Sequence, residues 1–260
     1  MPAKTIKANV TGAAASAADI TPAQLATLIP PSAMEYLIRT SPILWTDFGS
    51  AAALVSGHAN GAGIGTGSST TAPSGIANAN HFGIQNLGSA ATANTGFVWF
   101  FTANSLLLSG NEQFDCVFRT PPTFATITTR IGFHDSATVA DAVDGCYLEW
   151  IGTGAVVAKT SNNSVRTTSA TIFTFLVDTW YHVRIKLNAT ATAVDYTIFS
   201  DAGAQLATIQ ITTNIPTASL REVSAYVNAT SSGVAAIVLL YLDYMSLSFP
   251  GRQMTRGALF

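Results

Sequence analysis

The chain has 260 residues, 48% of them hydrophobic and only 10% charged, with a formal net charge of -2. The usual charged share is roughly 25%, so this surface suits a protein covered by neighbours or one that works outside a cell. The charge balance excludes a strong electrostatic grip on nucleic acid, which needs clustered Lys and Arg. The longest apolar run, Ala235-Ala236-Ile237-Val238-Leu239-Leu240-Tyr241-Leu242, falls well short of the ~20 residues of a membrane-spanning helix.

Residues 1–40 differ from the rest. Residues 1–18 are small, polar and featureless, and residues 11–18 are too weakly apolar for the core of a signal peptide, so no leader is expected. Thr21-Pro22 offers a helix start for residues 23–28, stopped by Pro30-Pro31. Ser32 caps a second short helix over 33–39 that ends before Ser41-Pro42. Helices this short need a partner to pack on, so 1–40 is expected to be an arm for docking or oligomerisation.

Residues 41–250 read as β throughout. Residues 43–48 form a first strand. Residues 49–79, rich in Gly, Ala, Ser and Thr, hold one weak strand near Leu54-Val55, and Gly61-Ala62-Gly63-Ile64-Gly65-Thr66-Gly67 reads as a structural loop. That loop lacks the Gly-Lys-Ser/Thr ending of a phosphate-cradling loop. Further strands are predicted over 81–87, 96–101, 105–108, 112–119, 126–133, 146–151, 155–159, 165–169, 179–188, 192–200, 205–211, 222–228 and 235–249. The clearest is the hairpin over 180–199. There Tyr181, Val183, Ile185 and Leu187 alternate with His182, Arg184, Lys186 and Asn188, which puts one set on each face of a pleated strand. Many strands at short spacing with no helix between them predict an all-β antiparallel sandwich or jelly roll. Asp243 stands amid apolar neighbours in the last strand and needs hydrogen-bond donors: backbone N–H groups, or else a metal. Residues 251–260 form a tail.

Cys116 and Cys146 lie in apolar runs and read as buried thiols; a disulfide between them cannot be read from spacing, and neither has a second ligand at zinc spacing. The loop from His134 to Gly145 gathers an imidazole and three carboxylates, His134, Asp135, Asp141 and Asp144, between two strands. It is either a solvated loop or a calcium or glycan site, since oxygen-rich loops hold calcium. His182, on the polar face of its strand, is expected at the surface or in a subunit contact. The aromatics Trp99, Trp150 and Tyr147 are expected in the core.

Several segments together resemble the concanavalin A-like lectin/glucanase (laminin-G-like) jelly rolls, in the version found in structural proteins of tailed bacteriophages. They are Asn80-His81-Phe82-Gly83-Ile84, Arg130-Ile131-Gly132-Phe133-His134-Asp135, Asp144-Gly145-Cys146-Tyr147-Leu148-Glu149, Asp178-Thr179-Trp180-Tyr181-His182-Val183, Thr213-Asn214-Ile215-Pro216 and Tyr241-Leu242-Asp243-Tyr244-Met245. The resemblance spans roughly residues 42–250. It implies two curved antiparallel sheets, a place in a virion made in the host cytoplasm, capsid or tail proteins as partners, and binding of a host glycan. A homo-oligomer, a trimer among the expected forms, fits such a protein; nucleic acid and membrane are not expected partners.

Glycoside hydrolysis needs two carboxylates about 5–10 Å apart. The laminarinase-like members of the group carry Glu-x-Asp-x-Glu on one strand. This chain has only Glu35, Glu112, Glu149 and Glu222, and no such spacing. No Gly-x-Ser-x-Gly elbow surrounds any serine. The expectation is therefore a non-enzymatic virion protein with neither catalytic residues nor a required cofactor, calcium being the one metal the 134–145 loop could take; the alternative is a receptor-binding lectin-like module.

Overall fold

The computed structural model describes residues 7–8, 18–19, 43–47, 59–65, 69–71, 81, 84–231 and 239–249. The expected helices over 23–28 and 33–39, and the weak strand near Leu54-Val55, lie outside the described residues. The chain divides into two compact units, Met1–Pro42 with Gly251–Phe260, and Ile43–Pro250. In the first, β1 (Lys7–Ala8) pairs antiparallel with β2 (Ala18–Asp19), a short ladder within a stretch that composition leaves featureless.

The second unit is an all-β sandwich of two antiparallel sheets. In chain order its strands are β3 (Ile43–Asp47), β4 (Ala59–Ile64), β5 (Ser69–Thr71), β6 (Gln85–Gly88), β7 (Gly96–Leu106), β8 (Gln113–Arg119), β9 (Ile127–His134) and β10 (Gly145–Ile151). They continue as β11 (Ala155–Asn162), β12 (Val165–Thr168), β13 (Phe173–Thr174), β14 (Trp180–Leu187), β15 (Val194–Ser200), β16 (Gln205–Ile211), β17 (Val223–Ser231) and β18 (Leu239–Ser248). Sheet one runs β12-β11-β10-β9-β17-β7-β4, with β13 also on β11. Sheet two runs β16-β15-β14-β8-β18-β6-β5, with β3 also on β18.

The alternation read from residues 180–199 is what folds this way. β14 and β15 pair from Tyr181↔Ser200 to Leu187↔Val194, with Tyr181, Val183, Ile185 and Leu187 buried. Beside them the inward side chains of β8 meet those of sheet one: Phe114 touches Phe133 edge-on at 6.1 Å, and Phe118 stacks on Trp150 at 5.5 Å. Phe175 closes one end against Trp150 at 5.0 Å and Tyr181 at 4.6 Å. Burial of such apolar area supplies the main stabilisation, at roughly 25 cal/mol per Å². Cys116 and Cys146 are free and buried in this core, and burial pushes both thiols far up from their ordinary range.

The Gly-rich stretch expected to be a loop is in part a strand. Residues 59–64 pair with β7, from Ala59↔Phe101 to Ile64↔Gly96. A Cβ at Gly61 would sit 2.8 Å from the Phe97 ring and 3.2 Å from that of Trp99. Glycine here admits a close aromatic neighbour, which composition alone reads as a loop signal.

Candidate functional site

The loop that the sequence singles out does not stand out in solvent. It folds back over the outer face of sheet one. Ala137 packs on Ile64, Val98 and Tyr226. Arg130 Nη1 donates to the carbonyls of Val139 and Ala140 at 3.2 and 3.1 Å. Ser161 Oγ donates to Val143 O at 2.7 Å, Arg166 Nη2 to Ala142 O at 2.5 Å, and Asn104 Nδ2 to Asp135 O at 3.0 Å. Side chains from β7, β9, β11 and β12 thus tie the loop down.

Beneath it lies an ion network assembled by strand register. Arg130 on β9 pairs directly with Glu149 on β10, and Tyr147 on β10 with Lys159 on β11. Glu149 is buried and spends both oxygens: Oε2 accepts from Arg130 Nε at 2.7 Å, and Oε1 meets Lys159 Nζ at 2.5 Å. Asp141 descends from the loop onto the same cations, 3.1 Å from Lys159 Nζ, 3.1 Å from Arg166 Nε and 3.4 Å from Arg130 Nε. Tyr147 donates its hydroxyl to Asp141 Oδ1 at 2.5 Å. Burial pushes the Asp141 carboxyl up, but the Tyr147 hydrogen bond and the Arg130 and Lys159 charges outweigh it, so the net displacement is downward. Burial and the bond to Asp141 push the Tyr147 phenol up, so it stays a donor.

The four residues marked by the sequence divide as follows. Asp141 joins the network. Asp144 is a loop tie: its Oδ1 accepts from the Asn163 N–H at 2.7 Å, and its Oδ2 lies 3.4 Å from Arg221 Nη1. Asp135 Oδ1 accepts from the Val143 N–H at 3.0 Å; burial, with the Asp144 charge behind it, holds its carboxyl above the ordinary range. His134 ends β9 and is fully buried, stacked on Tyr226 at 4.6 Å and edge-on to Tyr147 at 5.5 Å. Neither of its ring nitrogens makes a hydrogen bond of normal geometry, the Ser136 backbone being close enough only to favour the charged ring a little. Among the described residues, no group of three His, Cys, Asp or Glu side chains converges as a metal would require.

Burial, with the Arg130 charge adding to it, holds the His134 imidazole down at about 3, so it is neutral in the fold. An unfolded histidine titrates near 6.5. The depressed native value means the unfolded chain takes up the proton first as pH falls. Stability present above pH ~6.5 is then lost by about 1.4 kcal/mol per pH unit until pH approaches the native value. His134→Phe keeps a stacked ring and removes two unsatisfied nitrogens. It is expected to leave stability unchanged or about 1 kcal/mol higher at neutral pH, and to flatten the loss on acidification. Urea midpoints near pH 7 and about pH 5 check this; identical pH dependence in both proteins would contradict it.

Sequence spacing missed Arg130, Lys159 and Arg166, whose only signal is their polar position on alternating strands. Tyr147, expected in the core, is buried under the loop on the outer face instead, while Trp150 does lie in the core. His182 is not merely solvated: Nε2 lies 2.7 Å from Asp115 Oδ1, which also accepts from Arg184 Nε at 2.8 Å. Burial raises the Asp115 carboxyl, but these bonds and one from Gln113 bring it below its ordinary range. Asp243 takes a ring nitrogen of His81 at 2.7 Å, a donor the sequence did not indicate.

The outward positions of β10 carry Gly145, Tyr147, Glu149 and Ile151, with a single carboxylate among them. Neither Glu149 nor Asp141 has an oxygen free of a cation or donor.

A model of the family described as SO2946-like, C-terminal domain, matches residues 80–243. No curated protein matches the chain. Among solved structures, the chain is similar to a protein of unknown function, SO2946, from Shewanella oneidensis MR-1. That likeness has 17% identity and a TM-score of 0.68 over 84% of this chain and 93% of the other. It is also similar to peanut lectin carrying a nine-residue peptide (10% identity, TM-score 0.52, 80% of this chain and 97% of that one). A prokaryotic β-1,3-1,4-glucanase (lichenase) from a mouse hindgut metagenome aligns at 12% identity and a TM-score of 0.51, over 79% of this chain and 98% of the enzyme. These likenesses establish the concanavalin A-like lectin/glucanase fold, which hosts both binding and hydrolysis.

Proposed function

Since the chain belongs to the SO2946-like, C-terminal domain family, whose fold fixes no activity, we propose that it is a non-catalytic structural protein of a tailed-phage virion. The sandwich is displayed outward and the first forty residues attach it to capsid or tail proteins. The observation that carries the non-catalytic part is the ion network: Glu149 and Asp141 are committed to Arg130, Lys159 and Arg166. The low charged share supports a surface partly covered by neighbours, including copies of this chain in a homo-oligomer. Immunogold imaging of purified particles tests the placement. Label on the head or tail is expected, and its loss when residues 1–40 are deleted. An antigen found only free in the lysate would overturn it. Reducing-sugar assays on host polysaccharide are expected to show no release; turnover abolished by Glu149→Gln would end the non-catalytic reading.

Host-glycan recognition is the second reading. It is favoured by the likeness to a lectin and by a polar cleft on sheet two.

A further inference from the structure

The outer face of sheet two holds a cleft of about 300 Å³, lined among others by His81, His182, Ser200, Asp201 and Asp243. In a chain with only four histidines, two meet here. The register of β18 against β8 shifts between Leu242 and Tyr244, leaving Asp243 as the extra residue of a bulge, a device that re-aims a side chain. Its Oδ2 lies 2.7 Å from His81 Nδ1, while Oδ1 of Asp201, in the turn from β15 to β16, lies 2.9 Å from His81 Nε2. Both contacts are hydrogen bonds when each ring nitrogen carries its proton. The imidazole is buried and lies flat on Trp180, with centroids 3.8 Å apart and ring planes 9° apart. Segments 120 and 162 residues apart in sequence are thereby locked around one ring.

What the lock leaves available defines the ligand. Asp201, with its side chain 48% exposed, keeps Oδ2 as an acceptor. Ser200 Oγ accepts from the Ala204 N–H at 3.2 Å and retains its proton to donate. His182 commits Nε2 to Asp115, leaving Nδ1 for a visitor. Two carboxylates disfavour an anion. They flank opposite sides of the imidazole and do not converge as metal ligands would. An ammonium only donates, whereas a hydroxyl donates and accepts, as this mixed set requires. The volume is at the small end of ligand pockets.

We infer that this cleft is a subsite for a single saccharide unit, held through a pair of hydroxyls by Asp201, Ser200 and His182. The inference rests on the glycan-recognition reading and places it on sheet two, away from the 134–145 loop. The test titrates the full-length protein with methyl glucoside, galactoside and mannoside, reading the imidazole signals of His81 and His182 by NMR. Saturable shifts of both signals are expected with at least one glycoside. Ser200→Ala, which leaves the lock on His81 intact, should weaken that binding about tenfold, or about 1.4 kcal/mol, with the unfolding temperature nearly unchanged; Asp201→Asn should weaken it at least as much while also loosening the lock. Glycoside binding that shifts only signals of the 134–145 loop would overturn the cleft and spare the glycan reading. No binding of any glycoside would remove both. Shifts with methylammonium but not with the glycosides would overturn the saccharide assignment.

Discussion

Glu149→Ala is expected to destabilise the protein by about 3–5 kcal/mol, because it strands Arg130 and Lys159 with buried charge and one fewer carboxylate. For a domain of this size each kcal/mol moves the unfolding midpoint by about 2–4 °C, so the variant should melt roughly 10 °C lower. The network itself is a weaker contributor than that loss suggests, since desolvating its charges offsets much of their attraction. The informative companion is the triple variant Arg130→Met, Glu149→Leu, Lys159→Met. It removes the buried charges together and should recover most of the lost stability. Urea unfolding of the two proteins checks both statements. A single variant within about 1 kcal/mol of the parent would mean that water reaches the network and that the loop is no true cover.

Gly132→Ala should cost about 4 kcal/mol, from backbone strain of ~1–3 and overpacking of ~1–3. Gly132 sits in the middle of β9 at a φ of 144°, paired with Tyr147 on one side and Tyr226 on the other. An added Cβ would lie 2.5 Å from Cys146 O, 2.6 Å from Ile185 Cδ1 and 2.7 Å from the Tyr147 Cα. Two of these three atoms belong to the backbone of the neighbouring strand, so relief requires opening the β9–β10 ladder. Loss of near-ultraviolet circular dichroism at ambient temperature, or a urea midpoint shifted accordingly, is the measurement. A fully stable alanine variant would show that the strand can be displaced cheaply.

Most of the sandwich was legible because its strands alternate with period two. The runs at 112–119, 179–188 and 205–211 are found within a residue or so of their observed bounds. Errors arose where one face is not simply wet. Residues 96–101 and the first half of the 105–108 run belong to one long strand, β7, which ends at Leu106 and whose register against β17 shifts near Ser224, and such a bulge leaves no compositional mark. The short β5 and β13 were missed, since two or three residues carry no period. The candidate site was located as a segment but not in its chemistry. A run of acidic residues signals a loop with charges; it cannot show that Asp141 points down onto Lys159 and Arg166, because that depends on pairing across three strands. The His81–Asp243 contact spans 162 residues, and only the oddity of an aspartate in an apolar strand hinted at it.

The covering of sheet one also governs what could ever lie along it. Here residues 135–144 lie over part of its outer face, anchored from four strands, with Val139 and Ala140 turned to solvent. An extended chain laid over these strands would meet the loop before Arg130, Tyr147 or Glu149, which are buried beneath it.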